Sequence, residues 1–275
     1  MAERPARSLM AWVLIAIIVL YALALIGAPV VTLIQGAFAK GVPPVIAALT
    51  TPDALTALKL TFILTVLAAA INTVLGVIIA WVLVRHEFRG KALLNGLVDL
   101  PFVISPVIIG FVVITIFGRG GWLTLPFQVA FAFPGLLLVT VFVSLPFVIR
   151  EVMPVLASLT PEQEEVALTL GASRLTVFRR IVFPGIRHAV VYGVVLTLAR
   201  ALGEFGAAAV AGGAIQGLTE TATIYIYRTI QNNNDTAAYS MAILLGLISI
   251  ATLITMNILR QRSAGKESND VDLAE

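Results

Sequence analysis

Three charges sit deep within apolar sequence: Asp99, Arg200 and Glu204. Arg200 and Glu204 lie four residues apart, so on a helix they share a face one turn apart and can pair. A guanidinium there can lock a helix to its neighbour through a carboxylate, or offer a transient positive site to an anion crossing a pore. Asp99 precedes Leu100-Pro101, where a carboxylate can cap a restarted helix; in an anion path its sign would be wrong. Little else offers bond-making chemistry. The chain has no cysteine, which excludes thiol catalysis and thiolate metal sites, and its two histidines, His86 and His188, stand apart beside arginines. Gly90-Lys91-Ala92 is the nearest approach to a phosphate loop and lacks the hydroxyl that holds magnesium. The expectation is a chain with no catalytic residue, no metal ligand and no cofactor of its own.

The polar stretch Glu164 to Gly185, EEVALTLGASRLTVFRRIVFPG, stands out in a protein that is 59% hydrophobic. Thr160-Pro161-Glu162-Gln163 reads as a helix start, with a hydroxyl cap and proline in the first turn. That helix is expected to stop at Gly171, which tolerates left-handed geometry. Ser173 can cap a second helix, with Leu175, Phe178, Ile181 and Val182 on one face and Pro184-Gly185 closing it. Two short helices at a glycine corner make a knob on which a partner can dock. A DNA-binding helix-turn-helix has nearly the same pattern. The surrounding chain excludes that reading.

Only 12% of residues are charged and the mean hydropathy is +1.01, which rules out water-soluble classes. Apolar runs predict six spans, at about 10–34, 60–84, 93–117, 129–149, 186–210 and 238–259. The first is too long for the apolar core of a signal peptide. The third is interrupted by Asp99, Pro101 and Pro106, and irregular backbone at membrane depth survives only when buried or facing a cavity, so this span is placed at the pore. Thirteen of the 18 lysines and arginines fall on the side of both termini and the knob. Four (Lys40, Lys59, Arg119, Arg228) fall on the other, and Arg200 lies inside the fifth span. That bias puts the knob and both termini in the cytoplasm. Residues 1–275 read as one all-helical transmembrane domain, with a knob at 160–185 and a disordered tail at 261–275.

Glu165-Val166-Ala167, Gly171 and Ile181-Val182-Phe183-Pro184 resemble the signature of the membrane subunits of bacterial ABC importers, with Val166 and Phe183 as departures. From about Arg85 to Leu247 the chain is similar to sulfate/thiosulfate permeases of the W type, with molybdate permeases as near relatives. The stretches that carry this likeness are Asp99-Leu100-Pro101-Phe102 with Ser105 to Gly110, Leu145 to Glu151, and Leu198 to Ala207. The resemblance implies a type I importer permease fold with a cytoplasmic coupling helix, in a bacterial inner membrane. It implies a partner ATPase dimer that binds ATP and Mg, a second permease subunit (T-type for sulfate), an extracytoplasmic sulfate-binding protein and a lipid bilayer, but no nucleic acid. Carried over by position, Glu165, Ala167, Gly171, Ala172, Ser173 and Pro184 couple to the ATPase. Ser105, Pro106, Gly110, Arg200 and Glu204 are expected along the substrate path. Molybdate or tungstate as cargo is the alternative. A transporter or channel working alone would leave the knob unexplained.

Overall fold

The computed structural model describes residues 9–272. Among them the secondary structure is helical throughout: α1 (Leu9–Phe38), α2 (Val42–Leu49), α3 (Pro52–Arg85), α4 (Lys91–Val103), α5 (Pro106–Phe117), α6 (Phe133–Ser158), α7 (Glu162–Thr169), α8 (Arg174–Val177), a π-helical turn (Phe178–Val182), α9 (Phe183–Leu202), α10 (Gly206–Gly212), α11 (Ala222–Gln231) and α12 (Asp235–Asp272). The described residues divide into two compact units, one formed by residues 9–51 with Ile226–Leu244, the other by Pro52–Tyr225 with residues 245–272. In the first, α1 packs on α2, and Gly36 abuts the ring of Tyr239 so closely that no larger side chain fits there.

The second unit is built on α3, α6 and α9. Val148 of α6 sits between Gly76 of α3 and Gly193 of α9, and a Cβ added to either glycine would come within 2.7 Å of it. Small residues let the backbones approach, which replaces the hydrophobic drive that lipid cannot supply. Around this contact Val77, Ile149, Val152, Leu156, Ile186 and Val190 form a buried core. One turn away, the buried Asn72 donates from Nδ2 to Val141 O at 3.1 Å and to Ser144 Oγ at 2.9 Å, tying α3 to α6 with polar bonds. A second cluster, with Ile109, Val113, Val139, Val143, Ala207 and Ala211, joins α5, α6 and α10.

Among the described residues five helices are long and apolar enough to cross a membrane, or six spans if α4 and α5 count as one broken span. Those two meet at 111°, so the third expected span is not a straight helix. The bend falls where the residue before a proline is pushed out of helical geometry: Ile104 and Ser105 both have ψ of 133°, and Pro106 starts α5. Asp99 therefore caps nothing. It lies inside α4, which runs on through Pro101.

Other boundaries also move. Pro184-Gly185 does not close the knob. Phe183 N bonds back to Phe178 O across the wide π-helical turn, and the helix continues from Arg174 to Leu202. A π turn already shifts the hydrogen-bond register, so the missing N–H of Pro184 is accommodated in the first turn of α9. The fifth span ends at Leu202 rather than near position 210, with a non-helical step at residues 203–205 before α10. α12 carries its helical backbone to Asp272, across a stretch expected to be disordered; the segment has no proline to stop it. Residues 273–275 of that expected tail, and Arg4 and Arg7 of the charge count, lie outside the described residues.

Candidate functional site

Two places answer to the residues singled out above, and the first is the knob. α7 ends in a Schellman arrangement, in which Ala172 N donates to Ala167 O and Gly171 N to Leu168 O, both at 3.0 Å. Gly171 takes φ of 86°, the left-handed geometry the corner requires. Ser173 Oγ accepts from Thr176 N at 3.2 Å, the expected cap of the next helix. The expected Thr160 cap is not made; Pro161 precedes α7 without a side-chain bond, and its carbonyl accepts from Glu164 and Glu165 N–H.

Ala167 and Ala172 turn inward onto the core of α3, α6 and α9. Glu165 is exposed and pairs with neither Arg174 nor Arg179 among the described residues. Its neighbour Glu164 holds the knob instead. Arg85, the last residue of α3, donates from Nε (3.0 Å) and Nη2 (2.7 Å) to Glu164 Oε1, and from Nη2 to Leu159 O at 3.0 Å. Glu164, three residues back from the inward-facing Ala167, shares its face of α7. Phe178 stacks on Trp81 of α3 at 5.3 Å, fixing the start of the long helix beside the same anchor. Between α3 and the knob runs a cleft of about 760 Å³ lined by Trp81, His86, Glu165, Arg174 and Phe178 among others.

The second place is where two helix breaks meet. Gly206, just after the break in the fifth span, lies against Val107 and Pro106, just after the break in the third; a Cβ there would be 3.2 Å from Val107 Cγ2. Gly110 packs on α10 so closely that a Cβ would meet Val210 Cβ at 2.7 Å and Ala207 O at 3.0 Å. Ser105 stands at the start of α5 without a side-chain cap, its carbonyl accepting from Ile109 N at 3.2 Å.

Beside this junction Arg200 Nη1 lies 2.7 Å from Glu204 Oε2, the pairing expected from the spacing, although the helix ends between the two. Glu204 N still bonds to Ala201 O at 3.2 Å, so one more turn carries the carboxylate round to Arg200. Glu204 Oε1 accepts from Ala207 N at 3.0 Å, and its carbonyl accepts from Thr223 Oγ1 at 2.7 Å. The structure thus brings Pro106 and Gly110 onto one α5–α10 seam, with Glu204 fastened to its end and Ser105 at the bend just before it.

A further anchor had no role assigned to it from the sequence. Arg150 of α6 forks onto Asp99, with Nε to Oδ1 at 2.8 Å and Nη2 to Oδ2 at 2.6 Å. It also donates to Asn95 Oδ1 at 2.9 Å and Asn95 O at 3.1 Å. Asn95 and Asp99 are spaced one turn apart on α4, which is the trace this contact leaves in the sequence.

Comparison with known proteins agrees with this architecture. Residues 72–265 match the family described as binding-protein-dependent transport system inner membrane component. The chain is 42% identical to the sulfate transport system permease protein CysW of Synechocystis sp., over 92% of this chain and 93% of that one. It is 41% identical to the Escherichia coli CysW, over 93% and 90% of the two chains. The CysT permease of Salmonella typhimurium is 36% identical, over 78% of this chain and 79% of its own. Among solved structures, a chain of a bacterial alginate ABC transporter, in complex with a periplasmic protein carrying an alginate pentasaccharide, superposes with a TM-score of 0.70. It is 19% identical and covers 91% of this chain and 94% of that one, which shows a shared fold. The chain belongs to the binding-protein-dependent transport system inner membrane components, the multi-pass permease subunits of ABC importers.

Proposed function

We propose that this chain is a pore-forming subunit of an ATP-driven importer of sulfate or thiosulfate in a bacterial inner membrane. The observation that carries the reading is its similarity to CysW permeases along more than nine-tenths of its length. A separate ATPase dimer binds ATP and Mg and supplies the work, a second T-type permease completes the pore, and an extracytoplasmic protein delivers the anion. In this reading the chain turns over no bond itself.

The knob is the docking surface for the ATPase. Glu165 is free to meet it, Gly171 sets the corner, Ala167 and Ala172 seat the knob on the core, and Ser173 and Pro184 shape the helix that leaves it. That helix runs unbroken from Arg174 to Leu202, 29 residues or about 43 Å. A push at the knob is therefore carried along one rigid element to the paired breaks, where Ser105, Pro106, Gly110, Arg200 and Glu204 line or support the path. Both termini and the knob face the cytoplasm. A reporter active only outside the cytoplasm should be silent after Gly90 or Ser173 and active after Thr50; activity after Ser173 would overturn that orientation.

The function is tested by uptake of radiolabelled sulfate, thiosulfate and molybdate in cells lacking this chain and then regaining it. Sulfate or thiosulfate uptake should return with the chain. Return of molybdate uptake alone would contradict the proposal.

A further inference from the structure

The three best-placed guanidiniums of the second unit differ in how fully they are used. Arg85 spends Nε and Nη2 on Glu164 and Leu159 O. Arg150 is saturated, with Nε and Nη2 on Asp99 and Nη1 on Asn95. Arg200 is not. Its one partner among the described residues is Glu204, an ion pair with Nη1 2.7 Å from an Oε2 that accepts no hydrogen bond. Yet the side chains of Arg150 and Arg200 are equally open, at 33% and 31% exposed. Exposure therefore does not explain the difference in bonding.

A guanidinium within an apolar span is costly, and a merely structural one is expected to satisfy its donors on protein, as Arg150 does. The surroundings of Arg200 point the other way. Glu204 is 4% exposed and cannot swing out, because Oε1 is fastened to Ala207 N and its backbone carbonyl to Thr223 Oγ1. The carboxylate is thus a fixed post beside Arg200, and no N–H of the guanidinium donates a hydrogen bond to a described residue. Two adjacent N–H donors on a rigid plane match the edge of a tetrahedral oxyanion. The position fits as well: Arg200 lies beside the junction of two broken helices, where non-helical backbone belongs only if it is buried or borders a cavity.

We propose that Arg200 contacts the oxyanion in transit, and that Glu204 is its positioning residue, holding the guanidinium in place and weakening its grip so that the anion leaves. This deepens the importer reading and rests on it. The negative charge beside Arg200 has a mechanistic meaning, since a bare guanidinium at membrane depth would bind a dianion tightly and slow its release.

The proposal makes the two partners act with opposite sign. In the purified permease–ATPase complex without its binding protein, equilibrium binding of radiolabelled sulfate is compared for the wild type, Arg200→Gln, Arg200→Lys and Glu204→Gln. Arg200→Gln should weaken binding about tenfold or more, on the scale of a lost charge-assisted hydrogen bond. Arg200→Lys keeps the charge but loses the fork, and should weaken binding about threefold even if the glutamine variant fails to assemble. Glu204→Gln keeps an oxygen for Ala207 N and removes the opposing charge, so it should bind sulfate more tightly and import it more slowly in proteoliposomes. A pair that only locks helices would move all variants the same way. Equal or weaker binding by Glu204→Gln, unchanged binding by both Arg200 variants, or no saturable binding by the wild type would overturn the proposal. Failure of the importer reading is distinct: the wild-type complex, supplied with binding protein and ATP, would accumulate no sulfate.

Discussion

The knob and the paired breaks both depend on glycine, for opposite reasons. At Gly171 an added Cβ meets nothing within 4 Å, and only the backbone angle demands glycine. At Gly110 the backbone is ordinary helix, and the demand comes from Val210 and Ala207 O pressed against the position. One region is a shape held out into open space; the other is a seam with no room left in it. A surface meant to be gripped by a partner must keep its shape while its side chains stay available. A joint meant to transmit movement between helices must pack without slack.

The largest effect should come from filling the seam. Gly110→Val forces α5 away from α10 and should destabilise the chain by about 3 kcal/mol, the upper range for overpacking a filled core. Thermal unfolding of the detergent-purified protein checks this; an unchanged midpoint would mean the two helices are not tightly joined. Gly171→Val should cost about 1 kcal/mol or more through backbone strain alone and leave membrane insertion intact. Its damage should appear as weaker retention of the ATPase in a pull-down and as lost transport. ATPase recovery at the wild-type level would separate the corner from the docking surface.

A finer contrast lies within the knob. Glu164→Ala removes the one acid paired with Arg85 among the described residues and should destabilise the knob by about 1 kcal/mol or more, read as faster proteolysis around residues 160–172. Glu165→Ala, which breaks no ion pair among the described residues, should leave proteolysis within experimental error while lowering ATPase affinity. The reverse pattern would exchange the two roles.

This pair of neighbours also shows what the sequence could reveal. Features set by a few adjacent residues were legible: the Gly171 corner, the Ser173 cap and the Arg200–Glu204 pairing each follow from spacing on one turn. Choosing Glu164 over Glu165 as the anchor required knowing that α7 lies against Arg85, 79 residues away. The 111° bend was visible as Pro106, but its angle is set by packing of α5 on α10. Pro184 misled because proline usually ends a helix, and a π turn just before it let the helix continue. Asp99 had the spacing of a cap, yet Arg150 on another helix supplied a better partner.

The claim that joins the two regions is that the knob end alone receives the ATPase. The chain has no cysteine, so single cysteines introduced by mutation are unambiguous probes. Leu170 at the knob and Trp122 in the loop after α5 are almost equally exposed, at 83% and 84%. Each is replaced in turn by cysteine and treated with a short bifunctional thiol–amine cross-linker in the assembled complex. The account predicts an ATPase adduct from Leu170→Cys and none from Trp122→Cys. An adduct from position 122, or none from position 170 in an ATP-hydrolysing complex, would contradict it.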